Sequence, residues 1–201
     1  MITLIIVVIT VGVSLYAMDN YSVKNRLMFN AYQIRHRKEW YRFFSSGLIH
    51  ADYMHLGFNM LTLYGFGKNV EALYDYYFNE KGILFFILLY VGGLAMSSLY
   101  SYEKHKNDIH YNALGASGAV SSVLFACILM MPTNEIYIFF AIPMPAYIFG
   151  IIFLGVEYYL GKRGQSNIGH DAHFWGAIFG IVFTLVLKPE LGTLFFKQIF
   201  G

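Results

Sequence analysis

A chain of 201 residues with 57% of them hydrophobic, 19% aromatic and only 13% charged is too poor in charge for a water-soluble domain, which carries roughly 25%. The formal net charge of +2 says little about partners, nothing in the chain resembles a nucleic-acid-binding surface, and the single cysteine, Cys127, excludes an intrachain disulfide. Charges fall in clusters between long apolar windows, and about 20 mostly apolar residues cross a bilayer as a helix. The composition therefore predicts an all-α polytopic membrane protein.

Six spans are predicted within one domain covering 1–201, at 2–18, 51–72, 82–102, 113–131, 136–159 and 170–188. The first lacks a basic leader and a small-x-small cleavage site, so it reads as a span and not as a signal peptide. The loop after it carries "RHRKEWYRFF", whose Trp40, Arg42 and neighbours suit a basic, aromatic-anchored segment at the headgroup level. The second span opens with "HADYMHLGFNM" and closes with "GFGKNVE". The third ends in the polar loop "SYEKHKNDIHYN". Asn112 is a candidate cap for the fourth, which carries "LGASGAV" and stops at Met131-Pro132. A "PTNE" turn leads to the fifth, and "GKRGQSNIGHD" separates it from the sixth.

Polar residues at membrane depth are costly and mark functional sites. His55 and Asn59 lie four apart on one helix face, with His50 nearby; as a polar pair they serve equally well to glue helices together. Gly115, Ser117, Gly118 and their small neighbours suit close helix packing, and Ser117 is also a candidate nucleophile. The stretch is not the G-x-S-x-G elbow of soluble hydrolases, because Ala119 stands at its last position. In "GHDAHFWGAIFG", His173, Gly176 and Gly180 share one stripe, while H-x-x-H lacks the H-E-x-x-H pattern of zinc proteases, so no metal and no cofactor is expected. Nucleophilic catalysis needs a hydroxyl, a base and oxyanion donors. Spans four, six and two supply one part each, which points to serine-based acyl transfer inside the membrane.

Taken together, "WYRFFSSGLIHADYMHLGFNM", "GFGKNVE", "LGASGAV" and "GHDAHFWGAIFG" resemble the rhomboid family of intramembrane serine proteases, over about residues 40–180. The resemblance implies a six-helix rhomboid bundle with Ser117 as nucleophile and His173 as general base, working as a dyad without a carboxylate. It also implies His55 and Asn59 as oxyanion donors, a structured first loop around Trp40 and Arg42, and a structural role for Glu71. The site is expected to be a wet cavity also lined by His50 and Ser121. The implied partners are transmembrane protein substrates and the lipid bilayer, with no nucleic acid; a catalytically silent membrane chaperone is the alternative. Family members often carry an aromatic four residues after the nucleophile, against the base. Here that position is Ser121, which leaves His170 and Asp171 as candidates to orient His173. The fifth span and the loop before His170 are candidate gates. Loop charge, with ten Lys and Arg after spans one, three and five against four on the other side, places those loops in the cytoplasm. The resemblance implies the reverse orientation, in a bacterial inner membrane with the site opening outward.

Overall fold

A computed structural model describes residues 1–138, 141–163 and 169–201. Helices α1 (Ile2–Asp19), α5 (Tyr53–Phe78), α6 (Gly82–His105), α7 (Ser117–Met130), α8 (Ala146–Arg163) and α9 (His170–Leu187) stand near the six expected positions. Three segments, Ile2–Asp19, Tyr53–His105 and His170–Leu187, are long and apolar enough to cross a membrane. The first loop folds into three short helices, α2 (Tyr21–Leu27), α3 (Ala31–Arg37) and α4 (Arg42–Ser45).

The bundle is apolar outward and polar inward, the arrangement that lipid selects. On α1 the stripe Thr3, Thr10, Ser14 and Ala17 is buried, while Leu4, Ile5, Val8 and Ile9 on the other face are exposed. Water would favour the opposite. The protein is a membrane protein on this ground as well as on composition.

At the centre is α7. Every residue of it after Ser117 is buried, as expected of a helix that is apolar all round. It packs against α5, α6 and α9, and Leu63, Phe86, Leu89, Ala119 and Val123, all fully buried, fill the space between. Glu71 of α5 caps the amino end of α1. Its carboxylate accepts from Ile2 N–H at 2.7 Å, Thr3 N–H at 3.0 Å and the Thr3 hydroxyl at 2.8 Å, filling donors that the first helical turn leaves open. Three residues further along α5, Tyr74 and Thr184 share a buried hydrogen bond of 2.6 Å, and Thr184 donates onward to Gly180 O.

Several boundaries differ from the sequence expectation, each for a local reason. The expected span 136–159 begins as an antiparallel hairpin, β1 (Glu135–Ile138) on β2 (Ile142–Pro145), with Glu135 opposite Pro145 and Ile138 opposite Ile142. Pro143 and Pro145 bar a helix from running through them, so α8 starts only at Ala146. The expected 113–131 starts at Ser117, because Gly115 has φ +117°, a conformation reserved in practice for glycine. Asn112 caps nothing there: it takes a hydrogen bond from Asn30 Nδ2 at 3.0 Å and donates to His110 O. Helix α5 continues six residues past the expected 72, and an unforeseen helix, α10 (Glu190–Phe200), follows α9. Most of the loop before His170, at 164–168, lies outside the described residues.

Candidate active site

Two glycines set the distance between α7 and α9. A Cβ on Gly176 would collide with the carbonyl of Gly118, and one on Gly180 with the carbonyl of Ser122. The contacts advance together by four residues on both helices, so α7 and α9 run parallel and in register. Ser117 precedes the first crossing by one residue and His173 precedes it by three. Both are half-buried and sit at the amino-terminal ends of the two helices. Ser122 stitches the crossing, its hydroxyl shared between Gly118 O at 3.0 Å and Gly176 O at 2.8 Å.

The turn into Ser117 is held from the α5 side. Gly115 N–H donates to Ser46 O at 2.9 Å, and Ala116 N–H donates to His50 Nε2 at 3.3 Å. A backbone N–H can only donate, so Nε2 is the acceptor and Nδ1 carries the hydrogen of this neutral ring. Nδ1 then donates to Ser14 Oγ at 2.9 Å, and Ser14 passes its own hydrogen to Leu48 O. His50 is almost wholly buried with both nitrogens spent on protein, so it ties α1 to the turn and does not line a wet cavity as expected. Ser121 is buried too.

His55 lies against the same turn. Its backbone N–H donates to the capping carboxylate of Asp52 at 2.8 Å. A Cβ on Gly115 would stand 2.8 Å from His55 Nε2, so the imidazole occupies the space a side chain would need. Asn59, one turn on and buried, gives one amide hydrogen to His55 O at 2.9 Å and keeps a second to donate.

The first loop is built into the protein. Arg42 is 4% exposed and binds Glu39 at 2.5 Å, Asn25 O at 3.0 Å, Met28 O at 2.7 Å and Gln33 at 2.8 Å. It is a clamp across the loop, where the sequence suggested a headgroup-facing cation. Trp40 is half exposed, stacks on Phe43 at 6.2 Å and meets Tyr102 at 6.1 Å.

The surroundings of His173 hold two residues that the sequence reading passed over. Glu157 of α8 places Oε1 3.2 Å from His173 Nδ1 and Oε2 2.6 Å from His170 Nδ1. Phe153, one turn earlier on α8, brings its ring to 6.4 Å from the His173 ring. The aromatic missing at Ser121 is thus supplied from a different helix. Asp171, a candidate to orient His173, pairs instead with Lys104 at 3.3 Å. Glu157 sits near the end of the expected span 136–159, and that position concealed it, although a carboxylate one turn after Phe153 in an apolar helix is itself a signal. Among the described residues, Glu157, His170 and His173 are the one grouping able to offer three metal ligands, with donor atoms within 4.8 Å of one another. The 2.6 Å separation within it is that of a charge-assisted hydrogen bond.

A family model described as the Rhomboid domain matches residues 37–190. RHOMBOID-like protein 12, mitochondrial, of Arabidopsis thaliana is 29% identical over 148 residues, 66% of this chain and 42% of that protein. Rhomboid protease AarA of Providencia stuartii is 24% identical over 178 residues, 80% of this chain and 61% of its own length. Rhomboid protease GluP of Bacillus subtilis is 29% identical over 156 residues, 77% of this chain and 28% of that protein. The chain thus spans less than two thirds of each of these relatives.

Proposed function

Since the chain belongs to the rhomboid family, we propose that it is a serine endopeptidase that cuts membrane proteins in or beside their transmembrane segments. The observation that carries this reading is the parallel, glycine-set crossing of α7 and α9, which leaves Ser117 and His173 at the same end of two touching helices. In the proposed reaction Ser117 Oγ attacks the scissile carbonyl carbon while its proton passes to His173 Nε2. The carbonyl oxygen becomes an oxyanion facing His55, the free amide hydrogen of Asn59 and the Ser117 N–H. The C–N bond then breaks, His173 gives its proton to the leaving amine, and water releases the acyl-enzyme by the same relay.

All six expected spans and the substrate class belong to this proposal. A substrate helix must unwind locally before its backbone can react, which favours small or helix-breaking residues near the cut. The expected bacterial inner membrane finds no support in the relatives, which include a mitochondrial protein. The proposal places the protein in a membrane without choosing between the two.

The test is cleavage of a model transmembrane substrate by reconstituted protein, with Ser117→Ala and His173→Ala beside the wild type, and labelling by a fluorophosphonate probe. Cleavage and labelling in the wild type alone are the expected result. Undiminished cleavage by Ser117→Ala would overturn the nucleophile. A wild type that binds substrate but neither cleaves nor labels would be a membrane chaperone.

A further inference from the structure

We propose that Glu157 of α8 is the positioning residue for His173: its carboxylate accepts from Nδ1–H, turns Nε2 toward Ser117 and faces the positive charge the ring acquires during acylation. This rests on the serine-protease reading of Ser117 and His173, and adds a third group to it.

Four observations converge on it. His173 Nδ1 is buried and has no aligned hydrogen-bond partner among the described residues, yet a carboxylate oxygen stands 3.2 Å away. Hydrogen bonds of this kind are often loose before substrate binds and tighten in the reacting complex. The carboxylate is itself held, because its other oxygen is bound by His170 Nδ1 at 2.6 Å. Among the described residues the ion pairs of Glu157 are to His170 and His173 alone, while Lys162 of the same helix lies over the Tyr158 ring and Arg163 over the Tyr159 ring. A side chain only 12% exposed, in an apolar helix, needs a partner to remain charged, and the two histidines are the partners present. Finally, Phe153 and Glu157 are one turn apart and meet the same imidazole, so one face of α8 supplies both an apolar wall and an anchor.

The chemistry assigns each proton. Glu157 accepts a hydrogen bond and takes no proton. Nδ1–H stays on the ring throughout, so Nε2 is free to receive the Ser117 proton and hand it to the leaving nitrogen. A neutral ring with the hydrogen on Nε2 would be unable to begin that relay.

The decisive variant is Glu157→Gln, which keeps the size and removes the charge, assayed in the reconstituted full chain. Removing the charge of a buried orienting carboxylate costs up to about 10⁴-fold in kcat. For the looser contact here the expected fall is about 100-fold in kcat, with KM within about twofold, and fluorophosphonate labelling slowing in parallel. The second variant, His170→Asn, frees one carboxylate oxygen but leaves the charge, and its expected loss is below about tenfold. A Glu157→Gln enzyme within about threefold of wild-type kcat, or a His170→Asn loss as large as that of Glu157→Gln, would overturn the proposal. Nitrogen NMR of the histidine rings gives a readout that needs no activity: Nδ1–H at His173 in the wild type, and loss of that preference in Glu157→Gln. An unchanged tautomer would also overturn it. If the wild type neither cleaves nor labels, the protease reading fails, while the tautomer still decides whether Glu157 orients His173.

Discussion

Replacing Gly176 by alanine tests the α7–α9 crossing most directly. The added Cβ would stand 2.8 Å from Gly118 C and 3.0 Å from Gly118 Cα, whereas carbon atoms rest at about 3.5–4.0 Å. The Gly118 oxygen lies closer still, so the helices must part by at least about 1 Å at the crossing, with an overpacking cost of about 1–3 kcal/mol. Ser117 and His173 stand just before that contact, one on each helix, and a displacement of ~1 Å costs about 100-fold in rate. The assay is substrate cleavage in proteoliposomes together with thermal unfolding in detergent. The controls are Gly12→Ala and Gly57→Ala, helical glycines whose added Cβ meets nothing within 4 Å. These are expected to keep activity and to gain up to about 1 kcal/mol from helix propensity. A Gly176→Ala protein with wild-type melting temperature and cleavage within about threefold of wild type would refute the reasoning.

Other outcomes follow from single contacts. Gly115→Ala combines a positive φ with a clash against His55 and should cost at least about 1–2 kcal/mol and most of the cleavage activity, measured by the same two assays. Glu71→Ala opens three donors at the start of α1; a loss of about 1–2 kcal/mol in unfolding is expected, with hydrogen exchange rising first in that turn. Arg42→Ala leaves Glu39, Gln33 and two carbonyls without their partner. A cost of about 3–5 kcal/mol is expected, seen as proteolysis within 20–48 that the wild type resists. Cys127 is buried, so its reaction with a maleimide should track global unfolding; fast labelling of the native protein would contradict the packing around α7.

The helices were legible in the sequence because apolarity and length determine them, and lipid makes that signal strong. The hairpin was not, because Ile136–Ile138 and Ile142–Met144 are as apolar as a helix and hydropathy is blind to conformation. Pro143 and Pro145 were the available sign. The site divided along similar lines. Ser117, His55, Asn59 and His173 are marked by motifs whose spacing follows one helix at a time, whereas Glu157 and Phe153 matter only through the packing of α8 on α9. Spacing along a chain does not report that contact. The gap at Ser121 was visible; its filling from another helix was not. His50 looked like part of the same polar set as His55, and only the geometry of Ala116 N–H and Ser14 separates the tie from the site.

The shortness of α7 has a consequence for depth. Fourteen residues rise about 21 Å, and the hydrocarbon layer is about 30 Å thick. The hairpin after Met131 has open strand edges that lipid cannot satisfy, so the carboxyl end of α7 rests at one boundary of the hydrocarbon. An upright helix of that length ends roughly 9 Å short of the other boundary, and under the proposed function that is the level of Ser117. The chain reaches that level without a helix, which lipid would forbid were the exposed backbone not satisfied. Ser46 O and His50 Nε2 take the two amide hydrogens concerned. Bonding the lead-in of a short central helix to neighbouring loops thus lets the chain reach Ser117 without a helix and with the amide hydrogens of Gly115 and Ala116 satisfied.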